Sequence, residues 1–255
     1  MAKATMNGYI QFSLVTIPIK LYKAQHSQDI SFTKIHQVCG QQIKQPVFCP
    51  HCNYNPDPSE IVRAFDTGDK LVQISDEDLE SITSNVPPKT IMIKKFVRAS
   101  DVDPMYFDKG YFLGPDDKKN SSNRLALLHH TMVSKKVYAI ARMLMRGNEH
   151  LAIIRPYGTA LVLHTLYYAD EIEVESVGNG IKFSAQENSL ASQLVEKLVV
   201  SGFSMHNEKN ARNEAIRKML DEKISGKKTK KKDARVIATP IKDLVGELEA
   251  SLSGG

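Results

Sequence analysis

The stretch GYIQFSLVTIPIKLY, residues 8–22, decides the fold class. It is dense in β-branched and aromatic residues with partial alternation, the pattern of a strand and not of a helix. Pro18 within it implies an edge position or a bulge, because proline has no N–H for a sheet ladder. Working outward, residues 29–35 (DISFTKI) alternate cleanly, with Ile30, Phe32 and Lys34 on one face. Residues 90–97, 137–146 and 158–168 read as further strands, and Gly147-Asn148 turns the second of these back into residues 149–155 as a hairpin. Leu125, Leu128 and Met132 recur at helical spacing, and Ser75 with Asp78 opens a short helix. Ser184 with Glu187 caps a longer helix that carries Leu190, Leu194, Val195 and Leu198 on one face. Residues 207–225 repeat that pattern with Ala211, Ala215 and Met219. Strands followed by helices make this an α+β protein with a β-barrel or curved sheet at its heart.

The 255 residues suffice for one large domain or two small ones, and 42% apolar with 25% charged content is ordinary for a globular chain. No stretch approaches the roughly 20 apolar residues that span a bilayer. The opening MAKATMNGYIQF lacks the apolar segment of a secretory signal, so a cytoplasmic location is expected. There, paired cysteines suggest metal more than disulfide. The net charge of +5 hints only weakly at nucleic acid, but its distribution is uneven. GKKTKKKD, residues 226–233, sets Lys227, Lys228, Lys230, Lys231 and Lys232 in a flexible charged linker. Beyond it, residues 240–252 place Ile241, Leu244, Val245, Leu248 and Leu252 on one side of a short helix, marginal alone and suited to docking.

All three cysteines fall in HQVCGQQIKQPVFCPHCN, residues 36–53. Cys49 and Cys52 form a CPHC pair, and no βαβ pattern surrounds it to favour redox chemistry. Zinc takes four tetrahedral N/S ligands; Cys39 and either His36 or His51 would complete the set. His36 is preferred, since HxxC and CxxC then give one knuckle on each strand of a short hairpin. Four protein ligands leave no open position, so such a zinc is structural. The acidic groups Asp76/Glu77/Asp78, Asp101/Asp103 and Asp170/Glu171/Glu173/Glu175 suit helix starts and solvated strand ends. No nucleotide loop or nucleophile motif is present, and no enzyme is expected. Among the cations, Arg142 and Arg146 share one strand face, opposite Val137, Ala139, Ala141, Met143 and Met145. Lys94 and Lys95 end another strand, while Lys34 and Lys44 flank the cysteine segment.

Five blocks together resemble the bacterial Ku proteins in order and spacing over about residues 8–225. They are IQFSLVTIPIKLYKA (10–24), ISFTKIH (30–36), IVRAFDTGDKLVQISDEDLESI (61–82), FVRASDVDPMYFDKGYFLGPD (96–116) and ARMLMRGNEHLAIIRPYGTALVLHTLYYADEI (141–172). The resemblance implies a β-barrel core with an inserted arch that forms a ring in the homodimer, followed by C-terminal helices and a basic tail. The core would span residues 1–225 and the tail residues 226–255. Such a ring binds the ends of double-stranded DNA without sequence preference, catalysis or nucleotide. It protects the end and recruits ATP-dependent DNA ligase D for double-strand break repair by non-homologous end joining, in the nucleoid-associated cytoplasm. By similarity the inner face would carry Lys34, Lys94, Lys95, Arg142 and Arg146, with Lys44 nearby. The tail lysines would hold DNA outside the ring, and the helix bearing Ile241, Leu244, Val245, Leu248 and Leu252 would meet the ligase. The helices after Ser184 would make dimer contacts. Many relatives lack some of the cysteines, so the resemblance does not itself bring the zinc. The competing readings are a zinc-ribbon regulator that binds nucleic acid and a metal-dependent nuclease.

Overall fold

The computed structural model describes residues 3–82, 86–116, 120–145, 147–177, 180–226 and 244–253. Residues 8–22 fold as a hairpin and not as one strand. β1 (Met6–Phe12) meets β2 (Val15–Lys23) across a Ser13–Leu14 turn in which Ser13 takes φ 49°. Ile10, Ile17, Ile19 and Leu21 point inward and are fully buried, which is what the alternation encodes. Seven strands close a barrel in the order β1-β2-β6-β9-β8-β7-β5. The others are β5 (Thr90–Arg98), β6 (Phe107–Pro115), β7 (Val137–Met145), β8 (Asn148–Tyr157) and β9 (Ala160–Leu166). β6 pairs with β2 from Ile19 onward, and Pro18 sits at the end of that ladder, where its O still accepts from Asp116 N–H at 3.4 Å but no N–H is asked of it. That satisfies the edge requirement of proline without a true edge strand.

Every neighbouring pair in the barrel is antiparallel except the seam, where β1 runs parallel to β5 through Tyr9↔Thr90, Ile10↔Ile91 and Gln11↔Met92. Tyr9 N–H donates to Lys89 O at 2.9 Å, and a Cβ added at Gly8 would stand 2.1 Å from that same oxygen. Glycine is therefore required for the close approach that shuts the barrel. α2 (Ser121–Lys135) packs Leu125, Leu128 and Met132 into the same apolar cluster as the barrel interior, as their helical spacing implies.

Residues 24–89 are inserted between β2 and β5. They contain two tight cysteine turns, a hairpin of β3 (Arg63–Asp66) and β4 (Leu71–Ile74), and the short helix α1 (Asp76–Ser81). Ser75 and Asp78 make the expected reciprocal cap, with Asp78 N–H donating to Ser75 Oγ at 3.0 Å. Residues 29–35 are not a strand: only Ile35 forms a bridge, to Gln42. Alternation alone does not make a strand where no ladder partner runs alongside. The β3–β4 hairpin is an addition to the expected elements, although Asp66-Thr67-Gly68-Asp69 is a turn signal, with Gly68 at φ 86° and its N–H bonded to Asp66.

The chain divides into two compact units, Met1–Ser27 with Thr33–Glu173, and Gln28–Phe32 with Val174–Gly255. The second holds α3 (Ala185–Leu198), α4 (Ala211–Ile224) and α5 (Leu244–Ser253). The Ser184–Glu187 cap is present as expected, but α4 begins at Ala211, after a separate 3-10 turn over Met205–Asn207. Neither α3 nor α4 contains a buried residue. Among the described residues, no helix is long and apolar enough to cross a membrane.

Candidate nucleic-acid interface

Two adjacent lysines on a barrel strand should face opposite ways, one of them into the core. β5 avoids that outcome with a bulge. Its register with β7 runs from Ile91↔Met143 to Ile93↔Ala141 and then slips, so that Lys95 faces Ile140 and Lys94 is the extra residue. Both lysines are consequently exposed. On β7, Ala139, Ala141 and Met143 are fully buried, which sends Arg142 outward. Across the β7–β8 hairpin, Arg142 pairs with Leu151 and Leu144 with Glu149, so Glu149 lies diagonal to Arg142 on one face. Arg142 Nη1 donates to Glu149 Oε1 at 2.6 Å.

Lys94, Lys95, Asp101, Ile140, Arg142 and Leu151 line a concavity of about 740 Å³. Among the described residues no ion pair joins Lys94 or Lys95 to a carboxylate, whereas Arg142 is compensated. Exposed cations over an open depression suit successive phosphates rather than a base edge, which demands fixed bidentate donors in a groove. The three candidates thus converge on one surface. Lys34 and Lys44 are exposed on the two arms of the first cysteine turn, beside the bond from Ile43 N–H to Lys34 O, and do not line that concavity. Arg146, Lys227, Lys228, Lys230, Lys231, Lys232 and Ile241 lie outside the described residues. Leu244 opens α5; Val245, Leu248 and Leu252 are half-buried there, where α5 packs along α3 and Lys197 Nζ donates to Leu252 O at 2.9 Å. Glu149 has no motif to mark it in the sequence. Its one signal is the Gly147-Asn148 turn, since counting back across it sets Glu149 diagonal to Arg142.

The cysteine segment is built as two like turns. His36 N–H donates to Gln41 O and Gly40 N–H to His36 O, each at 2.8 Å; Cys49 N–H donates to Tyr54 O at 2.9 Å and Asn53 N–H to Cys49 O at 2.8 Å. Gly40 (φ 68°) and Asn53 (φ 57°) hold equivalent left-handed positions. His36 and Cys39 therefore correspond to Cys49 and Cys52, while His51 sits within the second turn. His36 Nδ1 is 3.1 Å from Cys39 Sγ, and Cys52 Sγ is 3.8 Å from His51 Nδ1. The backbone N–H of Cys52, then its thiol, then the backbone N–H of His51 hold the Cys49 thiol below its usual pKa, and the Cys49 sulfur raises Cys52. Among the described residues no group of three or more His, Cys, Asp or Glu is gathered to hold a metal ion.

Each of the acidic groups has a member occupied locally. Asp78 caps α1, Asp103 accepts from Met105 N–H at 2.8 Å, and Glu171 accepts from Tyr168 N–H at 2.6 Å. His129 reaches Gly158 O at 3.0 Å from α2. His164 on β9 is only 8% exposed and stacks on Phe107 with ring centroids 5.1 Å apart. Both its ring nitrogens, and Arg155 Nε, lack a hydrogen-bond partner in the structure.

Residues 11–197 match the family described as the Ku70/Ku80 beta-barrel domain. A protein of Symbiobacterium thermophilum called non-homologous end joining protein Ku is 34% identical over 256 residues, covering 98% of this chain and 62% of its own length. Proteins of the same name from Heliobacterium modesticaldum and Bacillus subtilis are 32% and 31% identical, covering 98% and 96% of this chain and 91% and 80% of their own lengths.

Proposed function

The chain belongs to the Ku family, and from that premise we propose that it binds the ends of double-stranded DNA, without regard to sequence, in non-homologous end joining. It does so as a homodimeric ring that a duplex enters from a free terminus, with no catalytic step. The observation that carries the proposal is the convergence of Lys94, Lys95 and Arg142 on one exposed face of a barrel built around a buried apolar core. Duplex DNA carries about one charge per 1.7 Å of axis, so a few unspecific cations per subunit suffice to grip it. The dimer is supported by the second unit: α3 and α4 have no buried residue, and Val195, Leu198, Phe203 and Met205 are exposed. Helices with apolar faces and no core of their own need another surface to cover them.

Two finer assignments belong to the same reading. A structural zinc would take His36, Cys39, Cys49 and Cys52, one pair from each of the two like-built turns, by drawing together donors that the described residues do not gather at one point. The helix α5 and the lysine-rich segment before it serve ATP-dependent ligase D and DNA outside the ring respectively.

Binding to a linear duplex compared with a closed circle of the same sequence tests the proposal. The linear form is held tightly and the circle weakly; equal affinity overturns the threaded ring. The triple variant Lys94→Gln, Lys95→Gln, Arg142→Gln weakens binding to linear DNA and flattens its log–log salt dependence by about 0.9 for each phosphate that it no longer neutralises. Unchanged binding would put the channel on another face.

A further inference from the structure

We propose that Glu149 is a built-in competitor for DNA phosphate at Arg142, setting how firmly the barrel face holds a backbone that moves past it. The inference rests on the reading of that face as the DNA-contacting surface. The hairpin register fixes Glu149 diagonal to Arg142, and the guanidinium donates to it at 2.6 Å. The two side chains are 47% and 26% exposed for Arg142 and Glu149, so water and salt reach the pair. A carboxylate offers a guanidinium the same kind of acceptor oxygens that a phosphate does. The guanidinium side of the pair is open to water while Glu149 is half-buried, so a phosphate reaching Arg142 can take the place of the carboxylate there.

Asp101 lines the same concavity, but among the described residues it forms no ion pair with Lys94 or Lys95, so of the three cations only Arg142 is held by a carboxylate in the structure. When a phosphate leaves Arg142, Glu149 returns to it, and the arginine passes from anion to anion without standing bare. The result is a hold that is weaker at rest and easier to exchange. Glu149 acts through Arg142 and is a positioning residue that does not itself touch the DNA.

The test uses the full chain, a linear duplex and binding isotherms over a series of salt concentrations. Glu149→Gln keeps the shape and an acceptor oxygen but removes the charge. It should bind about 1.4- to fivefold more tightly per subunit at low salt, the range expected for freeing one exposed pair. Its log–log salt slope should steepen by at most about 0.9 per subunit, because Arg142 then neutralises its phosphate without a carboxylate beside it. Glu149→Asp, which keeps the charge, should behave as the parent. In an Arg142→Gln background the gain from Glu149→Gln should vanish.

If Glu149→Gln leaves affinity and slope unchanged while Arg142→Gln weakens binding, the competitor role is overturned and the DNA face stands. If the gain persists without Arg142, Glu149 acts through the general field and the inference is likewise overturned. If Glu149→Gln melts lower and binds more weakly, Glu149 is a strut of the hairpin and the inference fails. If Arg142→Gln has no effect, the DNA face itself is misplaced and both readings fall.

Discussion

His164 is a buried polar ring on β9, on the strand face opposite Leu163 and outside the barrel's apolar cluster. Burial pushes its pKa below the ordinary 6.5, and the neighbouring positive charge of Arg155 pushes it the same way. Below pH 6.5 the unfolded chain takes up a proton that the folded ring resists, so the unfolded state binds more protons and stability falls as pH falls. The thermal midpoint should therefore drop between about pH 7.5 and 5.5, a window that brackets the unfolded pKa, and His164→Leu should lose part of that drop. About 1 kcal/mol moves a chain of this size by roughly 2–4 °C, so a melting series resolves it; an identical pH profile in the variant would clear His164 of the effect. At this scale the sequence is legible where a residue sits in a strong pattern. Arg142 among Ala139, Ala141 and Met143 has to face outward. Lys94 and Lys95 can be named but not oriented, because a bulge leaves no mark in composition. The partner of Glu149 and the burial of His164 depend on which strands become neighbours, and neither is visible along the chain.

Among the elements, the cysteine turns show how far spacing can carry. The spacing suggests His36 with Cys39 and Cys49 with Cys52, and the matching backbone bonds of the two turns give the first pair the positions that the second pair holds, with His51 inside the second turn. If zinc holds them, protein purified without chelator should carry about one zinc per chain, as four ligands make one tetrahedral site. Cys49→Ser should lose that metal and expose residues 36–54 to protease, while the barrel melts unchanged, since none of those residues belongs to its apolar cluster. Metal well below one equivalent would refute the assignment. The strands are mostly legible because half-buried alternation is their signature, and the capped helices because Ser75 and Ser184 each precede an acid by three residues. Residues 29–35 and the β3–β4 hairpin defeat the same reading from opposite sides. The first alternates without a partner. The second has its partner, but its apolar residues stay exposed, Phe65 at 63% and Leu71 at 69%.

At the scale of the whole molecule, the apolar surface of the second unit makes a stability claim. If two copies cover it, the protein should sediment at twice 28.5 kDa and remain so on dilution until the chains unfold together. A folded monomer at low concentration would count against the ring. The barrel seam adds a kinetic consequence. β2 and β5 flank β1, and the chain departs and returns at the same end of the barrel only after residues 24–89 have been made. The first strand to leave the ribosome must wait for the fifth, and this detour raises the entropic cost of bringing the two together. Until they meet, β1 shows an unpaired flank of amides to any passing strand, and that exposure ends only when β5 arrives with Lys89, whose close approach Gly8 permits.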